Sequence, residues 1–95
     1  MNLSYRYICL LQCLVSYYNI KEEDFIEMLK IRENKYLLLL FLKKYKCMNE
    51  EEVLKILNLK NKRSLCYNIK KAEEKLLVNR DFRATFFDIE DYLLK

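Results

Sequence analysis

A chain of 95 residues with neither glycine nor proline lacks the two residues that most readily reverse or break a backbone. Glycine supplies positive φ without a Cβ clash, and proline ends a helix by removing an N–H donor. Without them, tight strand hairpins have no ready turn residue, whereas leucine, lysine and glutamate, abundant here, suit helices. The expectation is an all-α fold, a single small bundle of about six helices in one domain over residues 1–95, with asparagine left to leave helical geometry at the turns. An apolar fraction of 53% at helical spacing argues against disorder.

The periodicity predicts a first helix over Leu3 to Tyr18, with Tyr7, Leu11, Leu14 and Tyr18 on one stripe, Leu10 and Val15 beside it, and Asn19 as the stop. A short second helix is expected from Glu22 to about Ile31, its acids at the positive end of the helix dipole and Phe25, Ile26 and Leu29 facing inward. Asn34 is the expected cap of a third helix, Lys35 to Tyr45, whose YLLLLFL run is apolar on nearly every side and therefore central. That run, Tyr36 to Leu42, is far shorter than the roughly 20 residues of a membrane span. A last helix begins at Asn79 or Asp81, with Phe82, Phe86, Ile89 and Leu93 on its core stripe. Phe87, Tyr92 and Leu94 lie off that stripe, on a second face, and imply either a wide contact with the bundle or a protein interface.

Cys9, Cys13, Cys47 and Cys66 are scattered through helical patterns rather than set out as a disulfide framework, and no cleaved leader is recognisable, which points to a reducing cytoplasm. Cys9 and Cys13 are one helical turn apart, but with no histidine and no second close cysteine pair they read as small core residues, and no metal or other cofactor is expected. The absence of histidine, of a cysteine paired with a base and of a glycine-rich phosphate loop argues against an enzyme.

Function is most legible between Asn49 and Ala72. Asn49 is a good N-cap followed by Glu50, Glu51 and Glu52, after which Val53, Ile56 and Leu57 make one apolar face and Asn58 ends it. After Leu59 comes Lys60-Asn61-Lys62-Arg63-Ser64, then a second apolar face of Leu65, Ile69, Ala72 and Leu76 on a helix running to about Val78. Two helices joined by a tight link form a helix-turn-helix pattern, whose second helix commonly enters a DNA major groove. Charge gathers there as well: residues 43–71 hold nine bases against three acids, +6, whereas residues 1–42 balance and residues 72–95 sum to −2. Lys43, Lys44 and Lys46, in the last turn of the third helix, complement its dipole or reach phosphate.

The order of these segments resembles the C-terminal DNA-binding domain of the bacterial replication initiator DnaA, in the Trp-repressor-like helical group. LVSYYNIKEEDF, Leu14 to Phe25, resembles that family's opening helix and acidic helix start, KYLLLLFLKKY its long central helix, and EEEVLKIL the first helix of its helix-turn-helix. Leu65 and Lys71 match its signature in the recognition helix. The resemblance implies a recognition helix read in the major groove from Lys60, Asn61, Lys62, Arg63 and Ser64, and a basic loop at Lys30 to Lys35 near the minor groove. The family usually has arginine, aspartate, histidine and two hydroxyl residues where this chain has Lys60 to Ser64, and its loop is about three residues longer. Backbone contact carries over; the family's own box sequence does not.

The sequence therefore predicts a stand-alone protein that binds double-stranded DNA in replication or transcription control, of the kind carried by phages or mobile elements. Arg63 and Asn61 are the candidate base readers, with Ser64 and Tyr67 beside them, and Lys55, Lys60, Lys62, Lys70, Lys71, Arg32 and Lys35 are the candidate phosphate contacts. Asn61 is equally an expected helix cap. The alternative is an interaction module or phage-type inhibitor on the same fold, binding a host protein, a nucleoprotein complex or its own copy through Phe87, Tyr92 and Leu94.

Overall fold

A computed structural model describes residues 3–94, with side chains from Arg6 to Leu94. The chain is all-helical, with no strand among the described residues: α1 (Leu3–Tyr18), a single 3-10 turn (Glu22–Asp24) leading into α2 (Phe25–Met28), α3 (Arg32–Lys44), α4 (Glu50–Ile56), α5 (Lys62–Val78) and α6 (Arg80–Leu93). The six helices fill about 31 × 31 × 27 Å.

Positive φ at Asn19, Lys46 and Asn58 (54°, 54° and 55°) ends α1, α3 and α4. Each is followed by a residue whose N–H reaches back five positions: Ile20 to the Val15 carbonyl at 3.3 Å, Cys47 to Leu42 at 3.0 Å and Leu59 to Leu54 at 2.9 Å. This is the Schellman ending, which satisfies the last carbonyls of a helix and usually takes glycine. Helix starts are equally economical. Asn49, Asn61 and Asn79 each accept a backbone N–H three residues on, from Glu52, Ser64 and Phe82.

Helix α3 is the axis of the core, with Tyr36 to Leu42 all buried. Phe41 stacks on Phe86 of α6 with ring centroids 4.6 Å apart and planes 3° from parallel. A fully buried leucine or phenylalanine contributes about 1.5–3 kcal/mol relative to exposure, so this seven-residue run outweighs any surface interaction in the molecule. Against it pack Tyr7, Leu10 and Leu14 of α1, Phe25 and Leu29 around α2, Val53 of α4, Leu65 and Ala72 of α5, and Phe82, Phe86 and Ile89 of α6.

Helix α3 lies across α5. Glu33, in its first turn, pairs with Lys75 at 3.4 Å, while Lys43, in its last, pairs with Glu73 at 2.8 Å. Glu73 and Lys75 stand on opposite shoulders of α5, so the helices cross between them, where fully buried Ala72 lets the backbones approach.

Four expectations are corrected. The second helix is cut to one turn plus the 3-10 turn. One turn presents only one apolar edge, so Phe25 and Leu29, four apart, are buried while Ile26 is 47% exposed. Asn34 does not cap α3, which begins two residues earlier behind extended Ile31. Instead Asn34 Oδ1 accepts the Tyr18 hydroxyl at 3.1 Å, and its Nδ2 donates to the Met28 carbonyl at 3.1 Å, tying α1, α2 and α3 together. The expected basic loop at Lys30 to Lys35 shrinks to residues 29–31, because Arg32 to Lys35 already form the first turn of α3. Finally, Phe87, Tyr92 and Leu94 do not share one face: Phe87 and Leu94, seven apart, lie on one side of α6. Tyr92 turns to α1, edge-on to Tyr17 at 5.4 Å and hydrogen-bonded to Ser16.

Candidate nucleic-acid interface

Helix α4 is short because Asn49 opens it and Asn58 closes it; Val53 and Leu57 pin it to the core. Five residues, 57–61, lead to α5, whose first residue is Lys62. Asn61 Oδ1 accepts the Ser64 N–H at 2.9 Å, so the cap expected of Asn61 is formed and its amide nitrogen is left with its donors. Leu65 and Ala72 are buried on α5 with Ile69 and Leu76 half-buried beside them, which fixes its rotation. The opposite face carries Arg63, Tyr67, Lys70 and Glu74 at spacings of four, three and four, all exposed.

This outer face changes character along the helix. Its first turns hold exposed Lys62, Arg63, Cys66, Tyr67, Lys70 and Lys71; its last hold Glu74, Leu77 and Val78. The Tyr67 ring is 60% exposed, with the Lys71 ammonium 5.5 Å from its centroid. Lys71 also reaches Glu74 at 3.6 Å, and Lys62 reaches Glu50 of α4 at 3.6 Å. Both pairs are between exposed side chains and are worth at most about 1 kcal/mol, so either lysine can be drawn to a phosphate. Lys55, Lys60, Arg63 and Lys70 are exposed and form no ion pair among the described residues. Ser64 is half-buried.

Arg32 and Lys35 lie apart from that cluster. They flank Glu33, whose partner Lys75 is in the last turn of α5, at the far end from Arg63. The Glu33–Lys75 and Lys71–Glu74 pairs interrupt the positive surface between them. Arg32 is exposed and Lys35 half-buried.

One feature of this surface is assembled only by the tertiary structure. Lys43 and Lys46, at the end of α3, face Cys66, Ile69 and Lys70 of α5 across a groove of about 520 Å³ floored by Leu42 and Met48. Lys43 is held there by Glu73, and Lys44 is turned away toward Glu90 of α6, lying 5.6 Å from the Phe86 ring centroid. The dipole role of these lysines was visible in the sequence; their meeting with α5 depends on the helix crossing.

Elsewhere, a groove of about 540 Å³ between α1 and the end of α6 is lined by Arg6, Cys9, Cys13, Tyr45, Cys47 and Leu93. Burial raises the Cys47 thiol above its usual pKa, against the opposing pull of the Arg6 guanidinium. All four cysteines are free thiols, and among the described residues no group of three or more histidine, cysteine, aspartate or glutamate side chains could hold a metal ion. Nor is any described helix long and apolar enough to cross a membrane. No protein-family model, curated protein or solved structure matches the chain.

Proposed function

We propose that this chain is a DNA-binding domain that acts by binding rather than catalysis, with α4 and α5 as a helix-turn-helix and the first turns of α5 in the major groove. The observation that carries the reading is the exposed face of α5 opposite its core stripe, where Arg63, Tyr67 and Lys70 stand together with Lys60 and Lys62 close by. Arg63 is the principal base reader and Tyr67 an apolar or hydroxyl contact. Asn61 is left to read through its amide nitrogen. Lys55, Lys60, Lys62, Lys70 and Lys71 hold phosphates, and Arg32 and Lys35 provide a separate, weaker contact from the start of α3. The likeness to the DnaA DNA-binding domain supports a role in replication or transcription control, and four free thiols suit a reducing cytoplasm.

Fluorescence anisotropy with mixed-sequence duplex at several salt concentrations tests this. Affinity should fall with a log–log slope of roughly −0.9 per phosphate contacted, and Arg63→Ala should weaken binding to a preferred site about 10-fold. Absence of binding at low salt refutes the reading. A protein-interaction module is the second reading, favoured by one observation: Phe87 and Leu94 remain 51% and 71% exposed on α6.

A further inference from the structure

The outer face of α6 spells a pattern that complements itself. Arg80, Ala84, Phe87 and Asp91, at spacings of four, three and four, form the stripe opposite Phe82, Phe86 and Ile89, and all four are exposed. Arg80 and Asp91 enter no ion pair among the described residues. Both also oppose the dipole of their own helix, since the cation opens it and the anion is in its last turn.

Numbers along the stripe are symmetric about a point between residues 85 and 86. When two such helices run antiparallel across a twofold axis at that point, Arg80 meets the partner's Asp91 twice and Ala84 meets the partner's Phe87 twice. A small residue thus receives a large one, as helix packing favours, and each charge that was misplaced on its own dipole lies beside the favourable end of the other. Three exposed apolar residues flank the stripe. Leu94 ends the helix and Leu77 and Val78 precede its start, so the end of the partner's α6 passes the α5–α6 corner. Arg83 is held at home by the Leu76 and Leu77 carbonyls, and Glu90 by Lys44. Asp81 and Asp88, both exposed, lie on the other shoulder and oppose the same residues of the partner.

We propose that α6 is a self-association surface whose partner is a second copy of this chain, paired antiparallel through Arg80–Asp91 and Ala84–Phe87. The proposal does not rest on the DNA reading. Two helices of this length bury less than the roughly 800 Å² per partner of a standard interface, and the shoulder carboxylates repel, so the dimer is weak, with Kd in the range of about 0.1–1 mM.

Sedimentation equilibrium of the full chain in reducing buffer, from about 10 µM to about 1 mM to span that range, measures it. Arg80→Asp and Asp91→Arg should each weaken association at least about 5-fold by replacing two attractions with two repulsions. The double reversal should associate more tightly than either single reversal, because the pairs are restored with opposite sense, yet more weakly than the parent, because each charge then lies beside the unfavourable end of the partner's dipole. Ala84→Glu, at an exposed position, should abolish association and leave the melting temperature of the monomer unchanged. A monomer throughout that range, the result expected if the stripe meets a different protein, overturns the proposal. So does a single reversal without effect, or a double reversal no tighter than either single one.

Discussion

Asn61 has two separable roles, cap and reader, and substitutions can divide them. Its side chain satisfies one of the N–H groups left open at the start of α5 through an exposed 2.9 Å bond. Asn61→Ala removes that acceptor and should cost about 1 kcal/mol, within a range of roughly 0.5–2. For a domain of this size that lowers the melting temperature by about 4–8 °C per kcal/mol. Asn61→Asp keeps the acceptor and adds a negative charge at the positive end of the dipole, for a gain of about 0.3–1 kcal/mol at low salt. The same substitution deletes the amide donors and sets a carboxylate among Lys60, Lys62 and Arg63, where DNA phosphates would lie. Stability and affinity should therefore move in opposite directions: Asn61→Asp melts at or above the parent temperature yet binds duplex at least about 10-fold more weakly. Thermal melts followed by circular dichroism and anisotropy titrations on the same samples give both readouts. An unchanged melting temperature for Asn61→Ala would show that the cap contributes nothing. An unchanged affinity for Asn61→Asp would remove the start of α5 from any DNA interface.

Two further predictions concern the frame. The Tyr7 hydroxyl is buried without a hydrogen-bond partner among the described residues, and its pKa is pushed up to about 12, first by burial and then by the Glu52 carboxylate and the Cys47 thiol. A pKa raised on folding means that the folded state holds its proton above pH 10 while the unfolded state loses it. Stability is thus full below about pH 10 and falls as pH rises toward 12, by roughly 2–3 kcal/mol for this residue. Tyr7→Phe should raise stability at neutral pH by about 1 kcal/mol, by removing an unsatisfied buried hydroxyl, and should shallow the alkaline decline in urea titrations. Lys46, by contrast, holds a φ of 54° with a Cβ in place. Lys46→Gly should stabilise by about 0.5–1 kcal/mol, the left-handed cost of about 1–2 less the added chain entropy of glycine; a fall in the urea midpoint would contradict the strain.

Local features are legible in the sequence. The bounds of α1, the end of α5, the caps at Asn49 and Asn79 and the buried run Tyr36 to Leu42 all follow from spacing, capping chemistry and dipole sign. Asn58 and Asn19 were readable as turns because asparagine visits the left-handed region most readily in a chain without glycine. Lys46 was not, since lysine has no such preference and its φ is imposed by the need to bring Cys47 back onto Leu42. Asn34 fits a local capping rule that Tyr18 of α1 overrides, Ile26 is exposed because the shortened α2 presents a single apolar edge, and Tyr92 is drawn to Tyr17 by the packing of α6 on α1. At the candidate interface, the charge on Lys60 to Lys71 was visible, but the pairing of Lys62, Lys71 and Lys75 with acids was not. Those partners include Glu50 and Glu33, which stand on other helices.

The sequence by itself determined that this chain is helical and where most of its helices begin and end, α2 and the start of α3 excepted. Those outcomes depend on interactions within a few residues: N–H groups satisfied by a nearby asparagine, apolar side chains repeating with the helical period, and turns forced onto asparagine and lysine by the absence of glycine. Only the tertiary structure decided how the basic residues are distributed. The crossing of α3 over α5 at Ala72 brings Lys43 and Lys46 to Lys70 and carries Arg32 and Lys35 to the far end of α5. That angle is set by the fit of side chains between two helices, which the pattern along either one does not contain.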